Sequence, residues 1–260
     1  MADLAPGLAD AVAAIAAEAA ALGIKRWDSD FERWEKAPGN PVCAIDLELD
    51  ALLRTRLEAL LPEAGWLSEE TIDAPERLAR RKLWVVDPID GTRDYLRRRP
   101  GWAVSIALVE DGQPVFGVLD APARGEVWRA AAGKGATCNG VPIRVAAREV
   151  FAGARVPSDG LPKNDADLVA VAKPNSIALR IAMVAAGEAD LVATLRWGYE
   201  WDVAAAVLIA REAGAATSDA FGETLRFNTP SAQAFGVLVT APGIHDAAVA
   251  RLRDRALALR

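Results

Sequence analysis

The chain has 260 residues, a formal net charge of −6, and 25% charged against 52% apolar side chains. That profile belongs to a folded protein with a sizeable core, and it excludes disorder as the main state. The acidic balance argues against a nucleic-acid polymer as partner, because such a surface needs clustered Lys and Arg. No run approaches the roughly 18 apolar residues of a membrane-spanning helix. Cys43 and Cys138 are too few for a disulfide scaffold, so a cytoplasmic location is expected.

In chain order, residues 8–22 place small apolar and charged positions at helical spacing. Asp10 and Glu18 interrupt this Ala-rich start and no basic leader precedes it, so neither a signal peptide nor a membrane anchor is expected. After a loop with Pro38, Gly39 and Pro41, residues 45–61 form a second expected helix, with Leu49, Leu52, Leu53, Leu57 and Leu60 on one face. The segment from Gly65 to Arg81 carries Glu69 but has much charge and few apolar anchors, and is expected to be mobile until a metal orders it. Strands are expected over 83–86, 103–109, 115–119 and 125–131, with Asp111-Gly112 as a hairpin turn. Beyond residue 145 the pattern alternates: helix 176–187, strand 189–194, helix 202–214 and strand 236–240. A soft boundary near residue 146 therefore divides an N-terminal α+β part, 1–145, from a C-terminal α/β part, 146–260.

The chemistry concentrates in Trp84-Val-Val-Asp87-Pro88-Ile89-Asp90-Gly91-Thr92. An apolar strand ends in two carboxylates three residues apart, and the proline between them disfavours helix at Asp87. Both acids are thus expected on a turn at the strand end, with Gly91-Thr92 opening a helix whose free amides suit a phosphate. Carboxylates suit a hard cation such as Mg²⁺, and a cation beside a phosphate site is what phosphoryl transfer to water requires. Alone, an Asp-x-x-Asp turn is common on surfaces. Two further segments bear on it: Leu67-Ser68-Glu69-Glu70-Thr71, and Trp201-Asp202-Val203-Ala204-Ala205-Ala206, where Asp202 stands as a candidate helix N-cap.

Together these segments resemble the inositol monophosphatase superfamily of Mg²⁺-dependent, lithium-sensitive phosphatases. The family's Asp-Pro-aliphatic-Asp-Gly-Thr-x-x-aromatic signature is matched from Asp87 to Tyr95. Its Trp-Asp-x-Ala-Ala element is matched at 201–205, its Glu-Ala-Gly at 212–214, and an upstream Pro-Val-x-x-x-Asp at 41–46. The resemblance implies a layered α/β/α/β/α sandwich and a homodimer. It assigns Glu69, Asp87 and the Ile89 carbonyl to one metal, and Asp87, Asp90 and Asp202 to a second. Glu69 helps hold a third ion through water, so two to three Mg²⁺ are implied per site. Asp46 and Thr92 help activate the attacking water, the Gly91 and Thr92 amides receive the phosphate, and Glu212 approaches the substrate. Cys43 departs from the family's usual Thr, and Ser68 and Ala206 from common Gly.

Within the family, 67–70 and 105–122 look most like the bacterial 3′(2′),5′-bisphosphate nucleotidases. The expected substrate is a small phosphate ester, adenosine 3′,5′-bisphosphate ahead of inositol-1-phosphate and fructose-1,6-bisphosphate. The rival reading from another class is a non-catalytic regulator or assembly protein that kept the fold. The metal pocket treats the scissile phosphate alike in each substrate. Discrimination must come from a cation and a stacking surface, with Arg97 to Arg99, Lys173 and Arg180 as candidate cations and Trp197, Tyr199 and Trp201 as candidate surfaces. His245, the only histidine, is expected to be a surface helix residue, and Gly133-Lys134-Gly135 a turn without the nucleotide-loop spacing.

Overall fold

A computed structural model describes residues 4–37 and 40–260; Pro38 and Gly39 of the expected loop lie outside the described residues. The first half runs α1 (Leu8–Arg26), β1 (Arg33–Ala37), β2 (Asn40–Cys43), α2 (Ala44–Leu60), β3 (Gly65–Ser68), β4 (Lys82–Asp90), α3 (Thr92–Leu96), β5 (Ala103–Glu110), β6 (Gln113–Ala121), β7 (Glu126–Ala131), β8 (Ala136–Cys138) and β9 (Val141–Pro142). The second half runs β10 (Arg155–Pro157), β11 (Val169–Val171), α4 (Ile177–Ala185), β12 (Leu191–Ala193), β13 (Trp197–Tyr199), α5 (Ala204–Glu212), β14 (Ala216–Ser218), β15 (Gln233–Phe235), β16 (Leu238–Thr240) and α6 (His245–Leu259).

Strands β3 to β9 form one sheet in sequence order, antiparallel except for the parallel β3–β4 pair. Alternation along its central strands decides what covers each face. Trp84 and Val86 of β4 and Val104, Ile106 and Leu108 of β5 pack with α1 and α2. Leu83, Val85, Ala103, Ala107 and Val109 face the other way and pack with α4 and α5. Beyond α4 and α5 lies the three-stranded sheet β12-β16-β14, with α6 against its outer side. This is the expected α/β/α/β/α layering. The apolar layer between the main sheet and α4/α5 draws on residues from both sides of position 146.

Helix α5 lies close on the main sheet because its contact residues are small. A Cβ on Gly117 of β6 would stand 2.8 Å from the Ala205 carbonyl oxygen, and Ala204, Ala205 and Ala206 are buried. The alanine run after Trp201-Asp202 thus sets how near Asp202 comes to β4.

The segment carrying Glu69 is better anchored than its charge suggested. Arg77 is 3% exposed, with its guanidinium on both Asp73 oxygens (2.6 and 2.8 Å), the Asn228 side chain (2.7 Å) and the Thr229 carbonyl (2.9 Å). Ser68 donates to Asp50 Oδ1 at 2.5 Å and Thr71 to Asp50 Oδ2 at 2.7 Å, so Ser68, where the family has Gly, ties β3 to α2. Arg77→Ala should cost about 2 kcal/mol by stranding these acceptors. Its readouts are a lower denaturation midpoint and faster amide exchange over 69–79. Unchanged exchange there would show that Arg77 does not hold the segment.

Candidate active site

Four carboxylates and the start of α3 meet at the end of β4. In an unbroken strand, residues 87 and 90 would point to opposite faces, since the side-chain period is two. The structure instead places a bulge: Asp87 pairs with Ser105 and Asp90 with Ala103, so Pro88 and Ile89 together oppose a single residue. The extra residue restores both acids to one side, and Pro88, which has no N–H to give a ladder, sits where none is required. The expected turn at the strand end is therefore a bulge inside a longer strand.

Gly91 follows with φ +98°, and a Cβ there would lie 2.6 Å from the Gly101 carbonyl oxygen and 2.9 Å from the Ser176 amide. Only glycine makes this corner. Helix α3 is a single five-residue turn whose first bonds run from the Asp94 and Tyr95 amides to the Gly91 carbonyl. The amides of Gly91 and Thr92 precede those bonds and are not used by the helix.

The cavity here, about 480 Å³, is lined by Glu69, Asp87, Ile89, Asp90, Gly91, Thr92 and Asp202. Asp46 lies behind it, 1% exposed, and is reached through Thr92. The Thr92 hydroxyl stands 3.0 Å from the Ile89 carbonyl and 3.3 Å from Asp46 Oδ1, two acceptors for one proton. The other Asp46 oxygen accepts from the Cys43 amide (2.8 Å) and thiol (2.9 Å), so Cys43 donates through sulfur where the family's Thr has a hydroxyl.

Asp90 is held across the chain: Ser176 Oγ (2.5 Å) and the Ala178 amide (2.8 Å) donate to it at the start of α4. Asp202 does not cap α5; the N-cap is Val203, which makes no side-chain cap. Glu200 fixes the preceding turn by accepting from the Asn228 and Thr229 amides (2.7 and 2.8 Å).

Electrostatically the site is unbalanced. Burial raises Asp87 and Asp202 well above the usual carboxylate range, and the neighbouring acids push them further. Burial likewise raises Glu69 and Asp90, and lifts Asp46 to about 6. Lys36, unremarked in the sequence, reaches in from β1 with its ammonium 2.5 Å from Glu70 Oε1 and 3.6 Å from Glu69 Oε1. Burial pulls its pKa down, but Glu69 and Glu70 outweigh that and raise it. Glu70 Oε2 is buried and has no partner.

Hard, all-oxygen donors at raised pKa, with an orphaned carboxylate oxygen beside them, fit a hard divalent cation. Among the described residues no three His, Cys, Asp or Glu side chains already stand close enough to hold an ion as they are.

Glu212 is not part of this cavity. It ends α5, whose nine residues at a helical rise put it about 12 Å along the axis from the Asp202 end. Its carboxylate accepts from the Gly133 and Gly135 amides, both at 2.8 Å, closing the glycine turn. His245 is half-buried, hydrogen-bonded to Thr240 (2.9 Å) and Ser218 (3.0 Å). Arg98 lies over Phe31 and donates to the Ser29 carbonyl, while Arg97 and Arg99 line a neighbouring cavity. Sequence reasoning missed Ser176, Lys36 and Arg196. Only Ser176 carried a local signal, as the first residue of an expected helix.

A five-layered α/β/α/β/α fold with a carboxylate cavity at a sheet-strand end defines a class of metal-dependent phosphatases. The family model for the inositol monophosphatase family matches residues 3–258. An inositol-1-monophosphatase of Mesorhizobium japonicum is 36% identical, over 72% of this chain and 75% of its own. The 3′(2′),5′-bisphosphate nucleotidase CysQ of Escherichia coli is 31% identical, over 74% of this chain and 81% of its own. The solved Thermotoga maritima IMPase superposes with a TM-score of 0.82 at 26% identity, covering 94% of this chain and 96% of that one. The chain belongs to the inositol monophosphatase family and is a phosphatase.

The raised carboxylates carry a stability cost with a definite sign. Between a normal carboxylate pKa near 4 and the raised native values (about 6 for Asp46), the folded state holds more protons than the unfolded one. Stability of the cation-free protein should therefore fall as pH rises through that window. Thermal melts at pH 5 and pH 7 should show a lower Tm at pH 7 without Mg²⁺, and Mg²⁺ should close the gap. A Tm that rises with pH in the absence of cation would contradict this reading.

Proposed function

We propose that the chain is a Mg²⁺-dependent 3′(2′),5′-bisphosphate nucleotidase that releases phosphate from adenosine 3′,5′-bisphosphate. Glu69, Asp87 and the Ile89 carbonyl would hold one cation, and Asp87, Asp90 and Asp202 a second. Bound there, Mg²⁺ would neutralise the carboxylates, polarise the phosphoryl group and lower the pKa of water. The Thr92 hydroxyl lies 3.3 Å from Asp46 Oδ1, so its proton can be given to Asp46. The Thr92 hydroxyl then accepts from the attacking water while donating to Asp46, a general-base relay that uses no histidine. The Gly91 and Thr92 amides receive the phosphate oxygens. As the water oxygen bonds to phosphorus, the ester P–O bond breaks and the leaving oxygen takes a proton from solvent.

One observation favours a nucleotide. Tyr199 and Trp201 line the cavity and lie stacked, ring centroids 4.3 Å apart and planes within 7°. Tyr199 is 43% exposed, so this plate offers an open face to a base. Trp197 packs edge-on against Phe235 and does not line the cavity. Inositol-1-phosphate is the second reading, supported by the identity to the Mesorhizobium japonicum protein. A homodimer, cytoplasmic location and lithium sensitivity belong to the same proposal; no helix among the described residues is long and apolar enough to cross a membrane.

Asp87→Asn should abolish turnover, because Asp87 is shared between both cation sites. It should also raise the Tm of the cation-free protein by removing one repelling charge. Near wild-type phosphate release by this variant would refute the two-cation assignment. Side-by-side release assays should show a higher kcat/KM for adenosine 3′,5′-bisphosphate than for inositol-1-phosphate or fructose-1,6-bisphosphate. A preference of about tenfold for inositol-1-phosphate, worth 1.4 kcal/mol, would overturn the nucleotidase choice.

A further inference from the structure

The cavity has a second charged wall that hydrolysis of a phosphomonoester does not use. Besides four carboxylates, its lining includes Arg93, Lys173, Arg180 and Arg196. Cations bound by the four carboxylates would offset their charge and leave the basic wall to meet the substrate, where Lys173 is already balanced by Asp159.

The four cations are not equivalent. Lys173 is paired with Asp159 at 2.7 Å. Arg180 is pinned by the Pro174 carbonyl (2.8 Å) and the Asn175 carbonyl (2.6 Å). Arg196, just before β13, is exposed, and among the described residues its guanidinium has no hydrogen bond or ion pair. It is near enough to Arg180 for the two charges to repel, and near enough to Asp202 to be felt there. It also shares the cavity wall with the Tyr199–Trp201 plate. Arg180 is drawn to Asp90 and Asp159 more than it is repelled by Arg196; the exposed, unpartnered Arg196 guanidinium on the same cavity wall is the group left to meet an anion.

We infer that Arg196, backed by Arg180, forms a second anion subsite that receives the non-reacting phosphoryl group of a bisphosphorylated substrate. This rests on the phosphatase reading of the same cavity and adds to it the residue that makes the site selective for two phosphoryl groups. Arg is suited to the role, since its planar fork can donate two parallel bonds to one phosphoryl group. The scissile group remains with Gly91, Thr92 and the carboxylate-held cations, so the subsite acts on affinity and not on the bond that breaks.

The test separates binding from turnover. In an Asp46→Asn background, which lacks the final proton acceptor, calorimetry with Mg²⁺ gives dissociation constants for adenosine 3′,5′-bisphosphate and adenosine 3′-monophosphate. The parent should favour the bisphosphate by about tenfold or more, the range of a charge-assisted hydrogen bond. Arg196→Gln should collapse that ratio toward one, and Arg196→Lys should restore part of it. Arg97→Gln, in the neighbouring cavity, should leave it intact. A ratio near one in the parent, an unchanged ratio in Arg196→Gln, or a collapse in Arg97→Gln instead would each overturn the inference. Phosphate release from the 3′-monophosphate by the wild-type protein tests the underlying phosphatase reading separately.

Discussion

The structure turns on the burial of carboxylates that the fold brings to one cavity. Asp87, Asp90, Asp202 and Glu69 come from three separate stretches of chain, and burial raises the pKa of each. Buried like charges oppose folding, and a bound cation would offset that cost. Everything around them resists relaxation: the bulge at Pro88-Ile89, the glycine corner at 91, Ser176 on Asp90, and Glu200 behind Asp202. Lys36 offsets the charge on one side, beside Glu69 and Glu70, and a metal ion of the kind that the family uses would offset the rest.

The same constraint orders the rest of the architecture. Helix α5 must lie close to the sheet to bring Asp202 to β4, and Gly117 with three consecutive alanines permits it. The β3 segment must present Glu69 at a fixed height, and Ser68 and Thr71 on Asp50 hold one end while buried Arg77 holds the other. Polar anchors do here what apolar ones do elsewhere. A run that reads as a loose charged loop is therefore fastened, because paired and buried charges look no different from solvated ones in a sequence.

How much was legible follows from how local each feature is. The helices 8–22 and 45–61 and the Asp111-Gly112 hairpin are written in periodicity and turn chemistry, and the structure has them. The run from Asp87 to Tyr95 announced its chemistry because strand, paired acids, glycine and threonine are contiguous. The bulge was not legible: its consequence, two acids on one face, depends on pairing with β5. Glu212 was misassigned because closeness in sequence to Asp202 suggested closeness to the site, whereas a helix carries it away along its axis. Arg196 gave no signal in a chain rich in arginine, and only its place beside Arg180 and the aromatic plate distinguishes it.

If the carboxylates are raised by burial and mutual repulsion, cation binding must expel the protons they retain. The most direct measurement is calorimetric titration of Mg²⁺ into the purified protein at pH 6, repeated in buffers of different ionisation enthalpy to count protons released per protein. The account predicts saturable binding with net proton release, diminishing as pH rises to 8 and weakened in Asp87→Asn. Mg²⁺ binding with no proton release at pH 6, or no saturable binding at all, would contradict it.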